Sequence, residues 1–242
     1  MMKLFSVESY KELEKRQPEF AVLPLGAFEQ HGEHLPMTTD SLIAGELGRR
    51  LCERHNGLLL PPIPITCSQE HHGFFGSAWI SARTLWSLID DVSCSLAYSG
   101  IKKLIIMNAH GGNYIINNFA QEKNLDQQQI LLLPTKQQWQ EALVRAGLEK
   151  TLDQDMHGGE SETSILMYAC PDSIRADKVS DHQVDERPLL HLRGIGAYTQ
   201  SGIVGFPSLA SAEKGRKLLA ELIACMDATV KEFLPGCMLS GN

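Results

Sequence analysis

Short apolar runs alternate along the chain with longer stretches whose apolar residues recur at the spacing of a helix. The apolar runs predict four strands, and the prolines in the second run suit a sheet edge or a strand end: 20–25, 57–65, 102–108 and 130–134. Helical spacing predicts six helices, with Ser81 and either Thr39 or Asp40 as N-caps: 40–55, 81–100, about 113–123, 137–146, 160–169 and 211–233. Strands that alternate with helices indicate a mostly parallel sheet covered by helices on both faces.

Length and composition limit the class of protein. With 242 residues and no repeat, low-complexity tract or Gly/Ser linker, the sequence predicts one domain over residues 1–242. The net charge of −7 and the lack of a basic run argue against nucleic acid and membrane lipid as partners. The six cysteines include no CxxC pair, the first residues are too charged for a signal peptide, and no apolar run reaches the ~18 residues of a membrane helix. We therefore expect a cytoplasmic protein.

Two polar clusters follow predicted strands directly. The segment EQHGEH (29–34) comes after the first strand, and NAHGGN (108–113) overlaps the end of the third. Ligands of open parallel sheets bind outside the carboxyl ends of the strands, so these clusters are expected to meet there. A solvated surface loop is the alternative for either cluster taken alone.

The residue types in these clusters favour a metal site. Glu29 and His31 are two residues apart, so in extended backbone they point to the same side, and Asp40 and His110 are placed to reach the same centre. Divalent ions of the zinc or manganese type accept mixed imidazole and carboxylate ligands. Two such ions need about five or six protein groups, with one carboxylate bridging them, and metal-bound water ionises near pH ~7.

Neighbouring residues and a third segment add candidates. His34 is expected either to orient a ligand or to point outward, and Glu33 to be a ligand or a solvated charge. The segment 155–167, DMHGGESETSILM, supplies His157, Glu160 and Glu162. On a helix, residues two apart lie about 200° from each other around the axis, so only one of the two glutamates faces a given cavity. The other is expected to brace the site or the fold.

Other enzyme chemistries lack their motifs. The chain has no HExxH, no GxSxG, no GxGxxG and no GxxxxGK[ST]. The helical zinc-protease arrangement, the nucleophile elbow, the dinucleotide loop of a dehydrogenase and the phosphate-binding loop are therefore not predicted.

Four segments, in order, resemble the creatininase (creatinine amidohydrolase) family: LPLGAFEQHGEHLPMTTD, NAHGGN, HGGESETSILM and SGIVGFPSLASAEKG. CSQEHHGFFGS (67–77) resembles a further block, with FFGS where the family usually has Phe-Pro-Gly-Thr. The similarity covers about residues 5 to 234. It implies a three-layer α/β/α sandwich, a centre of two metal ions (Zn, Mn or Fe) and a ring-shaped homo-oligomer, often a hexamer. It also implies hydrolysis of an amide-type C–N bond in a small, often cyclic, molecule.

Carried over motif by motif, the resemblance implies a role for each site residue. Glu29 and His110 would hold one metal, His31 the other, and Asp40 would bridge them, while His157 matches the proton-shuttling histidine of the family. True creatininase has HYEN after the histidine, and its glutamate is a metal ligand. Here Gly112 takes that place and cannot bind a metal, so the replacement ligand is expected to be Glu160, with Glu162 as the second choice.

A second departure concerns the substrate. Creatininase proper has a tryptophan-aspartate pair shortly before its shuttle histidine, whereas this chain has DQDM (153–156). Creatinine is therefore not the expected substrate. Similar HGGN-type members include formamide deformylases, ring-opening hydrolases of oxidised inositols and a peptide-trimming enzyme, and the sequence does not choose among them.

The hypothesis is thus a metal-dependent hydrolase of a small amide, formamide or cyclic carbonyl compound. Glu70, His71 and Asn113 are candidates for contact with the substrate. The alternative from another class is a non-catalytic metal-binding scaffold on the same fold.

Overall fold

The central sheet has four strands, all parallel. A computed structural model describes residues 5–125, 127 and 129–234; Cys237 and the two ends of the predicted domain therefore lie outside the described residues. The strands stand in the order β2-β1-β3-β4 and have these bounds: β1 Phe20–Leu25, β2 Leu58–Leu59, β3 Lys103–Asn108 and β4 Ile130–Leu133. β1 pairs with β3 in a continuous register from Phe20 opposite Lys103 to Leu25 opposite Asn108. The predicted parallel sheet is confirmed.

The second apolar run forms much less strand than its hydrophobicity suggests. Only Leu58 and Leu59 pair with β1, and Ile63 makes one isolated bridge to Leu25. Prolines at 61, 62 and 64 remove the backbone donors that a longer ladder would need. The run therefore ends the sheet as an edge, as the prolines predicted.

Eight α-helices surround the sheet in the described part of the chain: α1 Tyr10–Arg16, α2 Thr39–His55, α3 Ala82–Tyr98, α4 Ile115–Lys123, α5 Lys136–Ala146, α6 Glu160–Ala169, α7 Leu190–Arg193 and α8 Ala212–Phe233. The six predicted helices are all present within a few residues of their expected bounds. α1 has no buried residue and α7 is a single turn, so neither carries the apolar stripe by which a helix is predicted.

One predicted cap is confirmed and one is wrong. The Ser81 side chain accepts a hydrogen bond from the backbone N–H of Thr84 and so begins α3 as expected. α2 instead has Thr38 as its N-cap, without a side-chain cap bond. Asp40 lies inside the helix, and its carboxylate is turned toward two histidines rather than toward the helix end.

Two hydrophobic cores, one on each face of the sheet, hold the layers together. Phe20 and Val22 face one core, which α2, α5, α6 and α8 cover. Ala21, Leu23 and Leu25 face the other, which α3 and α4 cover. Full burial of a leucine-sized side chain contributes about 1.5–3 kcal/mol, so each core supplies a large part of the folding free energy. This is the α/β/α sandwich that was predicted.

None of the helices in the described residues is both long enough and apolar enough to cross a membrane.

Candidate metal centre

The site forms where β1 and β3 end. Beyond the strands the backbone N–H of Ala109 still donates to the carbonyl oxygen of Leu25, at 3.1 Å, so the two chain segments remain adjacent. Glu29 therefore comes to lie beside His110, as the two strand ends predicted.

A first group of metal-type donors consists of Glu29, Asp40 and His110. The Nδ1 atom of His110 lies 3.3 Å from Glu29 Oε1 and 3.3 Å from Asp40 Oδ2. All three side chains are buried, and their donor atoms lie within 4.8 Å of one another.

A second group consists of His31, Asp40 and Glu162. The Nε2 atom of His31 lies 3.1 Å from Asp40 Oδ1 and 3.8 Å from Glu162 Oε2. Asp40 belongs to both groups and offers a different oxygen to each histidine. This is the geometry expected of a bridging carboxylate.

Three carboxylate oxygens of the site lack hydrogen-bond partners in the described part of the protein. Among the described residues, neither oxygen of Glu29 nor Oδ2 of Asp40 has a hydrogen bond, although all three atoms are buried. A buried polar atom without a partner costs about 1–3 kcal/mol, and more when it is charged. Three such atoms in one place indicate that the site is built for a cation.

The two donor histidines are oriented by backbone carbonyls. His110 donates from Nε2 to the carbonyl oxygen of Cys67 at 2.7 Å, and His31 donates from Nδ1 to the carbonyl oxygen of Glu29 at 3.1 Å. Each bond fixes the proton on the outer ring nitrogen, so the lone pair of the other nitrogen faces the carboxylates.

Charge in the site shifts several pKa values strongly. Burial lowers the pKa of His31, but Asp40 outweighs it and raises that pKa to about 10. The pKa of His110 is likewise raised well above its ordinary value, since Glu29 and Asp40 overcome the effect of burial. Burial raises the pKa of Glu162 to about 7. The raised pKa values indicate that the site stabilises positive charge, which either protons or metal ions can supply.

His157 lies against the same carboxylate from another side. Backbone hydrogen bonds with Val204 hold its segment, and its Nε2 donates to the carbonyl oxygen of Gln30 at 2.6 Å. Its Nδ1 then faces Glu29 Oε1 at 3.8 Å. Burial, followed by the charge of His31, lowers the pKa of His157 well below its ordinary value, so the neutral ring is favoured.

The structure reverses the preference between the two glutamates. Glu160 is fully buried away from the donor groups, where it accepts from Lys214 Nζ at 2.6 Å and from the backbone N–H of Glu149 at 3.1 Å. Glu162 faces His31 and accepts from the N–H of Gly158 at 2.6 Å. Glu162, not Glu160, is therefore placed where the replacement ligand was expected, and Glu160 braces α6 against α8. The expected 200° separation accounts for this division.

The remaining predicted residues have contacts other than those expected. Asn113 accepts from the backbone of Cys67 and donates to Asn108, so it joins two loops and does not line the cavity described below. The carboxylate of Glu70 lies 3.7 Å from His110 Nε2 and occupies the space beside Gly112, where an added Cβ would collide with it. A glutamate at position 112 would also collide with the His110 ring and the Cys67 carbonyl oxygen, so all three neighbours would have to move.

Two histidines also support the site. His71 is buried, and its Nε2 lies 3.2 Å from Glu29 Oε1, so it contacts a donor carboxylate rather than the cavity. His34 is buried as well and bonds through Nε2 to the hydroxyl of Thr163 on α6 at 3.0 Å. Of its two expected roles, the structure excludes an outward orientation.

Sequence reasoning missed two residues that hold the site together. The side-chain amide nitrogen of Gln30 lies 3.1 Å from His71 Nδ1 and 3.1 Å from the carbonyl oxygen of Gly202. Asp155 accepts hydrogen bonds from the backbone N–H groups of Glu160 and Ser161 and so fixes the start of α6. A signal for Gln30 was its place between Glu29 and His31; for Asp155 it was an acid shortly before a helix.

A cavity of about 520 Å³ opens over the donor groups. Its floor includes Asp40, His110, His157 and Glu162, and its walls come mainly from the starts of α4 and α5 and from the segment before α6. The wall residues include both aromatic and polar side chains: Tyr114, Asn117, Lys136, Trp139, Leu152 and Met156. This volume suits a small molecule.

The chain as a whole is similar to proteins that are named as hydrolases. Residues 6–230 match the family model described as creatininase, creatinine amidohydrolase. The mycofactocin precursor peptide peptidase of Mycobacterium ulcerans (strain Agy99) is 31% identical over 228 residues, which cover 89% of this chain and 86% of that protein. The creatinine amidohydrolase of Pseudomonas putida is 28% identical over 233 residues, covering 88% and 90%.

Solved structures agree with this result. A mutant creatininase described as Zn-Zn type has a TM-score of 0.81 at 25% identity and covers 97% of this chain and 100% of that chain. A structure described as creatininase Mn has a TM-score of 0.80 at 26% identity and covers 95% and 97%.

Proposed function

Because the chain belongs to the creatininase family, we propose that it is a metal-dependent hydrolase that cleaves the C–N bond of a small amide or formamide. The observation that carries this proposal is the set of buried carboxylate oxygens without hydrogen-bond partners, surrounded by oriented histidines. The two relatives described above are named as a peptidase and an amidohydrolase, so these two do not favour the ring opening of a cyclic ketone.

The residues fit a centre of two divalent ions. Glu29, Asp40 and His110 would hold one ion, and His31, Asp40 and Glu162 the other, with Asp40 shared. Zinc and manganese both accept this mixture of carboxylate and imidazole, and iron does so as well. Bound ions would polarise the amide carbonyl and supply ionised water at neutral pH.

His157 is proposed to carry the proton. Its Nε2 is engaged by the carbonyl of Gln30, so Nδ1 is the atom available to accept a proton and to release it to the leaving nitrogen. The hydrogen bonds with Val204 hold the ring against the cavity floor during this transfer. Glu29, His31 and His157 also lie close enough to form a third donor group, so metal retention after substitution of His157 distinguishes the two roles.

A peptide bond is the second candidate for the scissile bond. It is favoured by the 31% identical relative that is named as a peptidase. The same residues would serve, because a peptide bond is also an amide. Hydrolysis of short peptides, followed by mass spectrometry, tests this candidate directly.

The decisive experiment measures metal and activity together. We expect the purified protein to retain about two equivalents of zinc, manganese or iron and to hydrolyse members of a formamide and amide panel. Chelation should abolish the activity, and re-addition of the metal should restore it. Turnover that persists after complete removal of the metal would contradict the proposal. Metal binding without any hydrolysis would also contradict it and would favour the alternative of a non-catalytic metal-binding scaffold.

We also propose that the protein acts on a small molecule in the cytoplasm, as one domain assembled into a homo-oligomer, with a hexamer favoured. This extends the resemblance to the creatininase family and the charge of −7, which disfavours nucleic acid. Light scattering on the purified protein measures the assembly, and a mass of one chain would contradict it.

A further inference from the structure

The cavity over the donor groups has an uneven distribution of charge. Its floor carries the carboxylates of Asp40 and Glu162. Among the described residues that line it, Lys136 is the one lysine or arginine. A molecule held between floor and wall would therefore meet the metal-type donors at one end and an ammonium group at the other.

Lys136 stands at the sheet edge that bears the site. It is the first residue of α5, which follows β4 after two residues, and β4 is the neighbour of β3. Its Nζ lies 3.8 Å from Asp153 Oδ1, with 66% of the lysine side chain and 79% of the aspartate side chain exposed. Exposed pairs of this kind contribute about 0–1 kcal/mol, so an anion bound in the cavity competes easily with Asp153 for the ammonium group.

The wall beside Lys136 is apolar. Trp139 lies one turn further along α5 and is half-buried, since its indole packs against the hydrophobic core covered by α2 and α8. Leu152 packs against the same core and also lines the cavity, together with Met156. A fixed indole offers a large apolar surface at little cost in side-chain entropy.

One acid that lines the cavity is already engaged by hydrogen bonds within the protein. Asp155 lines the cavity but already accepts hydrogen bonds from the backbone N–H groups of three residues and from the hydroxyl of Ser161. The Asp155 carboxylate is therefore stabilised by hydrogen bonds within the protein and is not free to bind a cation. Because Lys136 also lines the cavity, the wall favours a negatively charged ligand over a positively charged one.

On the basis of the proposed function, we infer that the substrate is a small amide that carries a carboxylate and an apolar side group, with Lys136 binding the carboxylate and Trp139 covering the apolar group. N-Formyl-L-phenylalanine has this chemistry. Its hydrolysis adds water across the C–N bond: the water oxygen joins the formyl carbon, the C–N bond breaks, a proton goes to the nitrogen, and formate and the free amine result.

The test compares this compound with N-formyl-L-phenylalaninamide, which lacks the acid. For each compound, formate release by the metal-loaded protein gives kcat/KM, and tryptophan fluorescence gives the dissociation constant. We expect the wild-type protein to have the higher kcat/KM for the acid. Lys136→Gln should reduce that preference about tenfold, because one hydrogen bond to a charged group contributes about that much. Lys136→Arg should keep most of it.

Lys217→Gln is the matched control, because Lys217 also forms an exposed pair at 3.8 Å, with Glu213 on α8, away from the cavity. Its preference for the acid should equal that of the wild-type protein. If Lys136→Gln prefers the acid as strongly as the wild-type protein does, the inference is overturned while the hydrolase proposal stays intact. If neither compound is cleaved, the dissociation constants decide: loss of selective acid binding in Lys136→Gln supports the inference, and unselective binding by the wild-type protein overturns it.

Discussion

At the scale of single residues, Asp40 joins the two donor groups. Its position in the first turn of α2 places a negative charge at the positive end of the helix dipole, which favours the ionised carboxylate. Its two oxygens then face His31 and His110 separately, at 3.1 and 3.3 Å. A glutamate at this position would move both oxygens by one methylene, so the helix start and the side-chain length together define the centre.

Separate substitution of Glu160 and Glu162 tests which of the two glutamates binds metal. We expect Glu162→Gln to lose metal, because the amide replaces a charged donor facing His31. Glu160→Gln should retain metal but lower the free energy of unfolding by about 1–3 kcal/mol, because it weakens the buried contact with Lys214. Elemental analysis and denaturant titration of both variants measure these effects. Metal loss in Glu160→Gln but not in Glu162→Gln would contradict the assignment.

Substitution of His157 separates proton transfer from metal binding. His157→Ala should retain both ions and lose about 10²–10⁴-fold in kcat, the usual contribution of a positioned acid–base group. His55→Gln is the control, since this histidine pairs with Asp227 and does not line the cavity. Parallel loss of metal and turnover in His157→Ala would instead identify the histidine as a ligand.

At the scale of elements, α6 marks the limit of what the sequence predicts. Its existence and the opposite directions of Glu160 and Glu162 follow from helical spacing alone. Which glutamate faces the site depends on Lys214, which reaches Glu160 from α8 across 54 residues of sequence. That contact is tertiary, so no local pattern reveals it.

The other elements also divide into those that local sequence signals predict and those that they do not. α3 and α8 were predictable because long apolar stripes and a serine cap are local signals. β2 was overestimated because the prolines, and not the hydrophobicity of 57–65, decide where a ladder forms. Glu29, His31, Asp40 and His110 were brought together correctly because parallel strands end at one edge of the sheet.

Within α2, Glu46 should make stability depend on pH. Burial opposes its ionisation, but hydrogen bonds from Arg49 and Arg50 outweigh burial and lower the pKa of Glu46 below its ordinary value of 4.5. A lowered folded-state pKa stabilises the fold above pH 4.5, and the gain disappears as the pH falls through the folded-state value. Glu46→Gln should therefore cost about 1–3 kcal/mol at pH 7 and much less near pH 3.

Urea titrations at the two pH values measure this difference. Glu53→Gln is the matched control, because Glu53 pairs with the same Arg49 but is 65% exposed. Its cost should stay within about 0.5 kcal/mol at either pH. A cost of Glu46→Gln that is equal at pH 7 and pH 3 would show that packing, not charge, accounts for it.

At the scale of the whole molecule, the fold buries carboxylate oxygens that have no hydrogen-bond partner, which lowers the stability of the metal-free protein. Two cores enclose the sheet, while both carboxylate oxygens of Glu29 and the Oδ2 atom of Asp40 lack hydrogen-bond partners among the described residues. An ion that binds only the folded chain relieves this cost, so metal affinity and folding stability are linked. Metal binding therefore stabilises the folded chain, and the gain grows with the logarithm of the free metal concentration once the site is nearly saturated.

This linkage predicts how the melting temperature responds to metal. At free metal near 100 times its dissociation constant, binding adds about 2.7 kcal/mol. For a chain of this size that corresponds to a rise of roughly 5–11 °C over the chelated protein. Asp40→Ala should show almost none of this rise, because it removes the shared ligand of both donor groups. Glu33→Gln should keep it, since the Glu33 side chain lies in the same segment but is 77% exposed. Calorimetry with and without chelator measures the shift for each protein, and an undiminished rise in Asp40→Ala would show that the stabilising ion binds elsewhere.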